Sequence, residues 1–471
     1  MKTNFSRRNF IKLSALSSAF LGFTGFGPGI RKENISETIE SIASSPIQNG
    51  NSVIGLTVPP IKQVKVAFIG LGNRGLQHLP IVDALCPDKA VITAMCDVQK
   101  NKVDAALEEL AKSGHGQKPV VYSGSLDVWK EMIKRDDIDL VIIATPWEDH
   151  ASMCLLSMQH GKHVAVEVPA ANTLEDLWKL VDTTEETQRH CMMMENVCYG
   201  DEELWLLNMA QQGVLGTLTY AECAYIHNLR ELLFSKDYYY NMWRIRHHVD
   251  RDGNHYPTHG LGPVAQYMDI NRGDSFQSIV SMSSMQASLD EYSKLVESDN
   301  EFYNRTGYKH GDINNSLIKT SKGRTILVQH DVVTPRPYNR INALAGTKGY
   351  HEGYPSRLSI VDYKGGHEWL TGDDYNFYQE KYQHPLWEKL KTGIEKYDEH
   401  GGMDFVMIYR LIDCLNNGWF LDQDVYDAAS WSVVSPLSTL SVELGNVPLK
   451  FPDFTHGKSN EVRKLGVLTN Y

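Results

Sequence analysis

The feature that most limits what this chain can fold into is an apolar run that passes straight into a glycine turn. Val64-Lys65-Val66-Ala67-Phe68-Ile69 is followed directly by Gly70-Leu71-Gly72-Asn73-Arg74-Gly75. The β-branched, nearly continuous apolar run predicts a buried parallel strand. The spaced glycines permit a tight turn and bring backbone N–H groups close to a pyrophosphate at the N-terminus of a helix predicted over 76–85. Such a triplet alone is weak evidence, but its surroundings supply the rest. A second strand, Ala90-Val91-Ile92-Thr93-Ala94-Met95-Cys96, ends on Asp97, where a carboxylate about 20 residues past the turn accepts a ribose 2′-hydroxyl. Gly70, Gly72, Gly75 and Asp97 are therefore expected to bind a dinucleotide, NAD in preference to NADP.

The pattern then repeats. Asp139-Leu140-Val141-Ile142-Ile143-Ala144-Thr145-Pro146 reads as a buried strand and Trp147-Glu148-Asp149-His150 opens a helix through Met158. A further strand follows in Gly161 to Val166, entering Glu167-Val168-Pro169. Strand and helix in alternation imply a doubly wound sheet whose ligand groups collect at the carboxyl ends of the strands, where Trp147, His150 and Glu167 fall. Each could equally be a packing or capping residue. After Met194-Glu195-Asn196-Val197 the character shifts to longer strands and aromatic-rich loops, with a hairpin predicted from Leu317–Thr320 and Thr325–Val332. The fold class expected is α/β: an N-terminal Rossmann doubly wound parallel sheet plus a C-terminal α+β domain with an open, mostly antiparallel sheet. A chain of 471 residues is long enough for two such domains, placed at 61–195 and 196–471.

Before the first strand, Ser6-Arg7-Arg8-Asn9-Phe10-Ile11-Lys12 and a short, weakly apolar stretch to Phe26 read as a twin-arginine export signal over 1–30, too short for a stable membrane span. Export to the periplasm or cell exterior is the expected location. Residues 31–60 read as a linker or loosely packed arm ending in Pro59-Pro60. The net charge of -12, without a basic run, sets nucleic acid aside as a partner. Seven scattered cysteines, with no Cys-x-x-Cys pair, argue against a disulfide framework and a zinc site, so no metal is expected.

Two segments are dense in polar aromatics: Ala224-Tyr225-Ile226-His227-Asn228-Leu229-Arg230, and Trp243-Arg244 through His255-Tyr256-Pro257-Thr258-His259-Gly260. Pro257 and the glycines beyond it suit a loop that holds His259 rigidly, unless His259 merely caps the following helix. Histidine exchanges protons near neutral pH, and tyrosine does so where its site depresses its pKa.

These residues carry a resemblance. The glycine turn, the strand ending in Thr145-Pro146 and the strand entering Glu167-Val168-Pro169 resemble the glucose-fructose oxidoreductase and inositol dehydrogenase superfamily. There a lysine of Glu-Lys-Pro usually assists proton transfer; here Val168 stands in its place and cannot. With Trp-Glu-Asp-His and Tyr-Pro-Thr-His, the chain is similar over nearly all of the part after the signal to glycoside hydrolase family 109, NAD-dependent α-N-acetylgalactosaminidases. The resemblance implies a cofactor cradle of Asn73, Arg74, Asp97, Trp147, Glu148, Asp149, His150, Glu167, Val168 and Asn196. It implies substrate contacts from Tyr225, Arg244, Tyr256, Pro257, Thr258, His259 and Tyr338, with Tyr225 and His259 as the catalytic pair. No residue between Arg230 and Trp243 is assigned, because that stretch is shorter than the family leads one to expect.

Direct hydrolysis of a glycoside normally uses two carboxylates flanking the bond, and no such pair is identifiable here. The resemblance implies instead oxidation at C3 of a terminal α-N-acetylgalactosamine, loss of the C1 aglycone with removal of the C2 proton, addition of water, and return of the hydride, with net retention. Tyr225 is the expected base at C2, and His259 the acid/base near the C3 hydroxyl or the leaving oxygen. The partner expected is a glycoside or glycan; the oligomeric state, a homodimer included, is left open. Two other readings stand beside this one: an NAD(P)-dependent sugar or polyol oxidoreductase with net hydride transfer, and a non-catalytic exported sugar-binding protein that keeps NAD as a structural element.

Overall fold

The computed structural model describes residues 40, 42–44, 46, 48 and 50–470. Ile42–Tyr471 is one of two compact units into which the chain divides, and the expected export signal lies outside the described residues. The first strand, β1 (Val64–Ile69), buries Val64, Val66, Ala67 and Phe68 completely, as an apolar run flanked on both faces must. It lies at the centre of a six-stranded parallel sheet with β2 (Ala90–Asp97), β3 (Val120–Ser123), β4 (Leu140–Ile143), β5 (His163–Val166) and β6 (Cys191–Met193), in the order β3-β2-β1-β4-β5-β6. The order reverses between β1 and β4, and the crevice at that switch point is where α/β sheets hold ligands.

The expected helix after the turn is α1 (Asn73–Ala84). It begins three residues earlier than predicted, because the glycine turn feeds it directly and Gly72 serves as its N-cap in extended conformation. The next functional helix, α2 (Trp147–Gln159), starts at Pro146, whose fixed φ suits a helix start.

A second, eight-stranded sheet has the order β13-β12-β11-β7-β10-β9-β8-β14. Its members are β7 (Leu218–Ile226), β8 (Phe276–Ser283), β9 (Asn314–Thr320), β10 (Thr325–Asp331), β11 (Ala343–Gly346), β12 (Gly349–Glu352), β13 (Arg357–Ile360) and β14 (Leu449–Lys450). The predicted hairpin is β9 and β10, paired antiparallel, and β7 with β10 is the parallel pair that places His330 beside Tyr225. Helix α3 (Trp243–Asp250) and helix α4 (Thr258–Tyr267) carry the second aromatic segment. A methyl group on Gly260 of α4 would lie 2.6 Å from the backbone nitrogen of Ala224 on β7. Glycine there lets helix and strand approach backbone to backbone, and this sets His259 against Tyr225.

The end of the expected loose arm is in fact fastened. Val53 is buried, its N–H donates to the Tyr426 hydroxyl at 3.1 Å, and Asn51 N–H reaches the Glu185 carbonyl at 3.2 Å. Backbone donors that find fixed acceptors and an apolar side chain that finds a pocket order this stretch despite its polar composition.

Candidate active site

The carboxyl ends of β1, β2 and β4 open into a cleft of about 1290 Å³, which extends across to β7, α3 and the start of α4. On the sheet side the glycine turn divides its labour. Gly70 has φ +89° and sits against the Ala144 backbone, and a Cβ on Gly75 would lie 2.0 Å from the Gly70 carbonyl oxygen. A Cβ on Gly72 would meet no atom within 4 Å, so the turn leaves open space where it faces the cleft. Asp97 stands at the end of β2, its carboxylate accepting N–H bonds from Leu71 at 2.7 Å and Gln99 at 2.8 Å. Asn196 also lines the cleft; its amide nitrogen donates to Asp404 at 2.8 Å while its buried oxygen has no protein partner. An open glycine turn, a carboxylate on the second strand and an unpaired buried amide fit a dinucleotide.

Beneath the turn, Arg74 makes a fork onto Asp404 at 2.8 and 3.0 Å and reaches Glu167 at 3.0 Å. Burial alone would lower the Arg74 pKa, but Glu167 and Asp404 carry it above its ordinary value. Burial would likewise raise Glu167, yet Arg74 and His78 bring it down to about 2. This buried ionic cluster ties α1, β5 and the helix α5 (Met403–Asn417) into one wall.

On the opposite side, Tyr225, Tyr256 and His259 form a mutually packed group, with ring centres 4.7, 5.2 and 4.8 Å apart for the pairs Tyr225–Tyr256, Tyr225–His259 and Tyr256–His259. His259 Nδ1 donates to the fully buried Glu195 carboxylate at 2.7 Å, which fixes the tautomer and leaves Nε2 for a ligand. Tyr225 donates its hydroxyl proton to Nδ1 of His227 at 3.0 Å. Burial, with Arg244, His259 and His400 nearby, pushes His227 down to about 4, so its imidazole is neutral. Arg244 is buried between Trp147 and Tyr256, its guanidinium 5.0 Å from each ring centre. One nitrogen donates to the Tyr239 hydroxyl at 2.9 Å, whereas Nε and Nη2 have no hydrogen-bond partner among the described residues. A buried cation with two unused donors calls for a polar ligand.

Several expectations need correction. His259 lies in the first turn of α4 rather than in a loop before a helix, and its rigidity comes from Glu195 and helical backbone. Burial outweighs Arg244 and pushes the Tyr225 phenol pKa up, not down, so in the protein alone the phenol is a weaker acid than a free tyrosine. Pro257 and Thr258 are buried behind Tyr256 and His259 and do not line the cleft. Tyr338 stands outside the lining, half-exposed, 5.1 Å from the His227 ring and bonded to Arg340. Glu148 turns away to His247 at 2.8 Å, whereas Asp149 and Val168 do line the cleft. Both ring nitrogens of His150 are taken by the carbonyls of Pro169 and Thr145, at 2.8 and 2.9 Å, so His150 braces the strand ends.

Sequence reasoning missed Glu195, His227, Tyr239 and His78. Tyr239 sits in the stretch that was left unassigned, where three consecutive tyrosines at 238–240 line the cleft, and that run was the available signal.

Fold and site together define a dinucleotide-binding protein of the oxidoreductase type, with a second sheet that closes the cleft by a cluster of proton-exchanging side chains. Comparison with known proteins narrows this. Residues 64–195 match the family described as "Oxidoreductase family, NAD-binding Rossmann fold", and residues 199–461 match "Glycosyl hydrolase 109, C-terminal domain". A protein of Shewanella putrefaciens named "Glycosyl hydrolase family 109 protein" is 47% identical, with 99% of each chain covered. A protein of Shewanella oneidensis named "Alpha-N-acetylgalactosaminidase" is 45% identical over 99% of each chain. Among solved structures, levoglucosan dehydrogenase in complex with NADH and levoglucosan shares the fold at TM-score 0.64 and 15% identity, over 83% of this chain and 100% of that one. The chain belongs to glycosyl hydrolase family 109.

Proposed function

We propose that this glycosidase removes terminal α-N-acetylgalactosamine by a cycle of oxidation, elimination, water addition and reduction in which its NAD is regenerated at every turnover. The observation that carries the reading is that the open glycine turn and the Tyr225, His259 and Arg244 cluster face the same cleft. The name of the 45%-identical Shewanella oneidensis relative supports the choice of sugar. Gly70, Gly72, Asn73, Asp97, Trp147, Val168 and Asn196 would hold the dinucleotide. When bound, NAD would accept a hydride from C3 of the sugar and later return it, and the ketone formed meanwhile acidifies the proton at C2.

The residues then divide the proton traffic. Tyr225 takes the C2 proton as its own hydroxyl proton moves to neutral His227, with Arg244 nearby to stabilise the phenolate that forms. His259, backed by Glu195, holds or releases a proton at the C3 hydroxyl or the departing oxygen. The unused Arg244 nitrogens bind ring hydroxyls or the acetamido oxygen. Val168 cannot move a proton, which leaves these groups to do so. The motif at Ser6-Arg7-Arg8 supports delivery to the periplasm or exterior as a folded protein; fractionation of cells, with Arg7 and Arg8 exchanged for Lys as control, tests it.

The function is tested by incubating the full chain, without added NAD, with an aryl α-N-acetylgalactosaminide in deuterated water. Deuterium at C2 of the released sugar supports the cycle. Release without deuterium points to direct hydrolysis or a shielded base, and steady accumulation of NADH from a free sugar favours the net oxidoreductase.

A further inference from the structure

On the far side of Tyr225 from the cleft lie four histidines from four separate segments. His248 is on α3, His255 in the loop before α4, His310 in the loop before β9, and His330 on β10, in register beside Tyr225. All four are buried, none more than 1% exposed. Their rings converge: 4.4 Å between centres for His248 and His310, 4.3 Å for His255 and His310, 5.1 Å for His248 and His255, and 5.2 Å for His310 and His330.

Their hydrogen bonding is incomplete in a way that buried groups rarely are. Nδ1 of His248, both nitrogens of His255, Nδ1 of His310 and both nitrogens of His330 meet no hydrogen-bond partner among the described residues. Each such buried polar atom costs roughly 1–3 kcal/mol if nothing satisfies it. A neutral imidazole offers one lone pair, so these four rings together offer four nitrogen lone pairs in one place.

We propose that His248, His255 and His310 bind one divalent transition-metal ion of the zinc type, with His330 available as a fourth nitrogen ligand. One ring nitrogen from each of the three lies within 4.8 Å of the others. Zinc–nitrogen bonds of about 2.0–2.1 Å in tetrahedral geometry place ligand nitrogens about 3.3–3.4 Å apart, so these atoms must close by up to about 1.5 Å through ring rotation and small shifts of the loops that carry them. The chemistry of the donors agrees: imidazole suits zinc, copper and nickel, whereas hard oxygen-seeking cations would find no carboxylate among the four. His310 already has the arrangement of a metal ligand. Its Nε2 donates to the Gly253 carbonyl at 3.1 Å, which directs the lone pair of Nδ1 into the cluster. Asp252 supports the same loops, accepting from Gly311 N–H at 3.0 Å and from the Ser283 hydroxyl at 2.8 Å.

The ion would clamp three parts of the sugar side of the cleft: α3 with Arg244, the loop leading to Tyr256 and His259, and the strand beside Tyr225. It has no access to the cleft and takes no part in bond breaking. The expectation of no metal rested on cysteine spacing, and histidines this far apart in sequence left no motif to read. The proposal does not depend on the assigned sugar or on the oxidation cycle.

The test uses the full chain, without a histidine tag, stripped with EDTA and titrated with Zn²⁺. One zinc ion per chain should survive gel filtration, measured by mass spectrometry of the metal. His255→Gln and His310→Asn should each weaken uptake by at least roughly tenfold, and His160→Ala, at an exposed site, should leave it unchanged. Absence of retained zinc in the wild-type chain, or full retention in both variants with native circular dichroism, overturns the proposal. Should the variants not fold, Co²⁺ in the wild-type chain decides: an intense tetrahedral visible spectrum supports the site, and a weak spectrum like that of the hydrated ion refutes it.

Discussion

Nδ1 of His259 lies 2.7 Å from a carboxylate oxygen of Glu195, a residue 64 positions earlier in the chain and fully buried. The carboxylate fixes which imidazole nitrogen faces the cleft and stabilises the charge that appears when His259 takes a proton. Glu195→Gln keeps an acceptor for Nδ1–H but removes that charge. We expect kcat on an aryl glycoside to fall roughly 10²- to 10⁴-fold while KM and dinucleotide binding hold. An unchanged kcat in a folded variant would remove His259 from proton transfer.

Tyr225→Phe deletes only the hydroxyl bonded to His227 and keeps the ring packed on Tyr256 and His259. The variant should retain its fold and its NAD, read by protein-to-nicotinamide fluorescence after reduction, yet lose turnover by roughly 10²-fold or more. Deuterium exchange at C2 of the sugar should disappear with it. Near-normal turnover would discard Tyr225 as the base.

Local features were legible in the sequence and distant pairings were not. The glycine turn, β1, β2 and the β9–β10 hairpin depend on neighbours within a few residues, and their chemistry is written in that order. Glu195 read only as a boundary because its partner arrives on α4, which packs directly on it where a Cβ on Gly262 would lie 2.9 Å from the Glu195 side chain. Pro257 and Thr258 were grouped with Tyr256 as contacts, but helical geometry turns successive side chains to different sides and buries those two. A base role for Tyr225 would be helped by a site that depresses its pKa, but burial, which depends on the folded surroundings, pushes the phenol up.

Gly72 and Gly75 should separate folding from cofactor binding. A methyl group at 75 would press within 2.0 Å of the Gly70 carbonyl, so Gly75→Ala should cost about 1–3 kcal/mol in denaturant unfolding as well as binding. At 72 nothing lies within 4 Å, so Gly72→Ala should fold normally while its methyl occupies the space that backbone and pyrophosphate share. Equal NAD affinity for Gly72→Ala and the wild-type chain, by calorimetry, would place the dinucleotide elsewhere.

Arg244→Lys keeps a charge but loses the fork whose Nε and Nη2 await a ligand. Charge-assisted hydrogen bonds contribute about 1.5–3 kcal/mol each, so KM for the glycoside should rise roughly 10- to 100-fold. The dinucleotide affinity should not change. A variant with wild-type KM would show that the donors point at something other than the sugar.

Acid should destabilise the fold through its buried histidines. Burial pushes His163 down to about 3 and both His190 and His384 down to about 4, while the unfolded chain returns each to about 6.5. The stabilisation from keeping them neutral is complete above pH 6.5 and is lost as pH falls, because the unfolded state then binds protons that the folded state does not. Each contributes a slope of about 1.4 kcal/mol per pH unit between the two pKa values. Glu167, already down at about 2, stays ionised throughout this window and adds nothing to the slope. Urea unfolding at pH 7 and pH 5.5 should show a loss of several kcal/mol, and His384→Gln should reduce it by the share of one histidine. A stability that is level across that interval would mean these imidazoles are protonated in the folded protein, and the burial argument would fail with it.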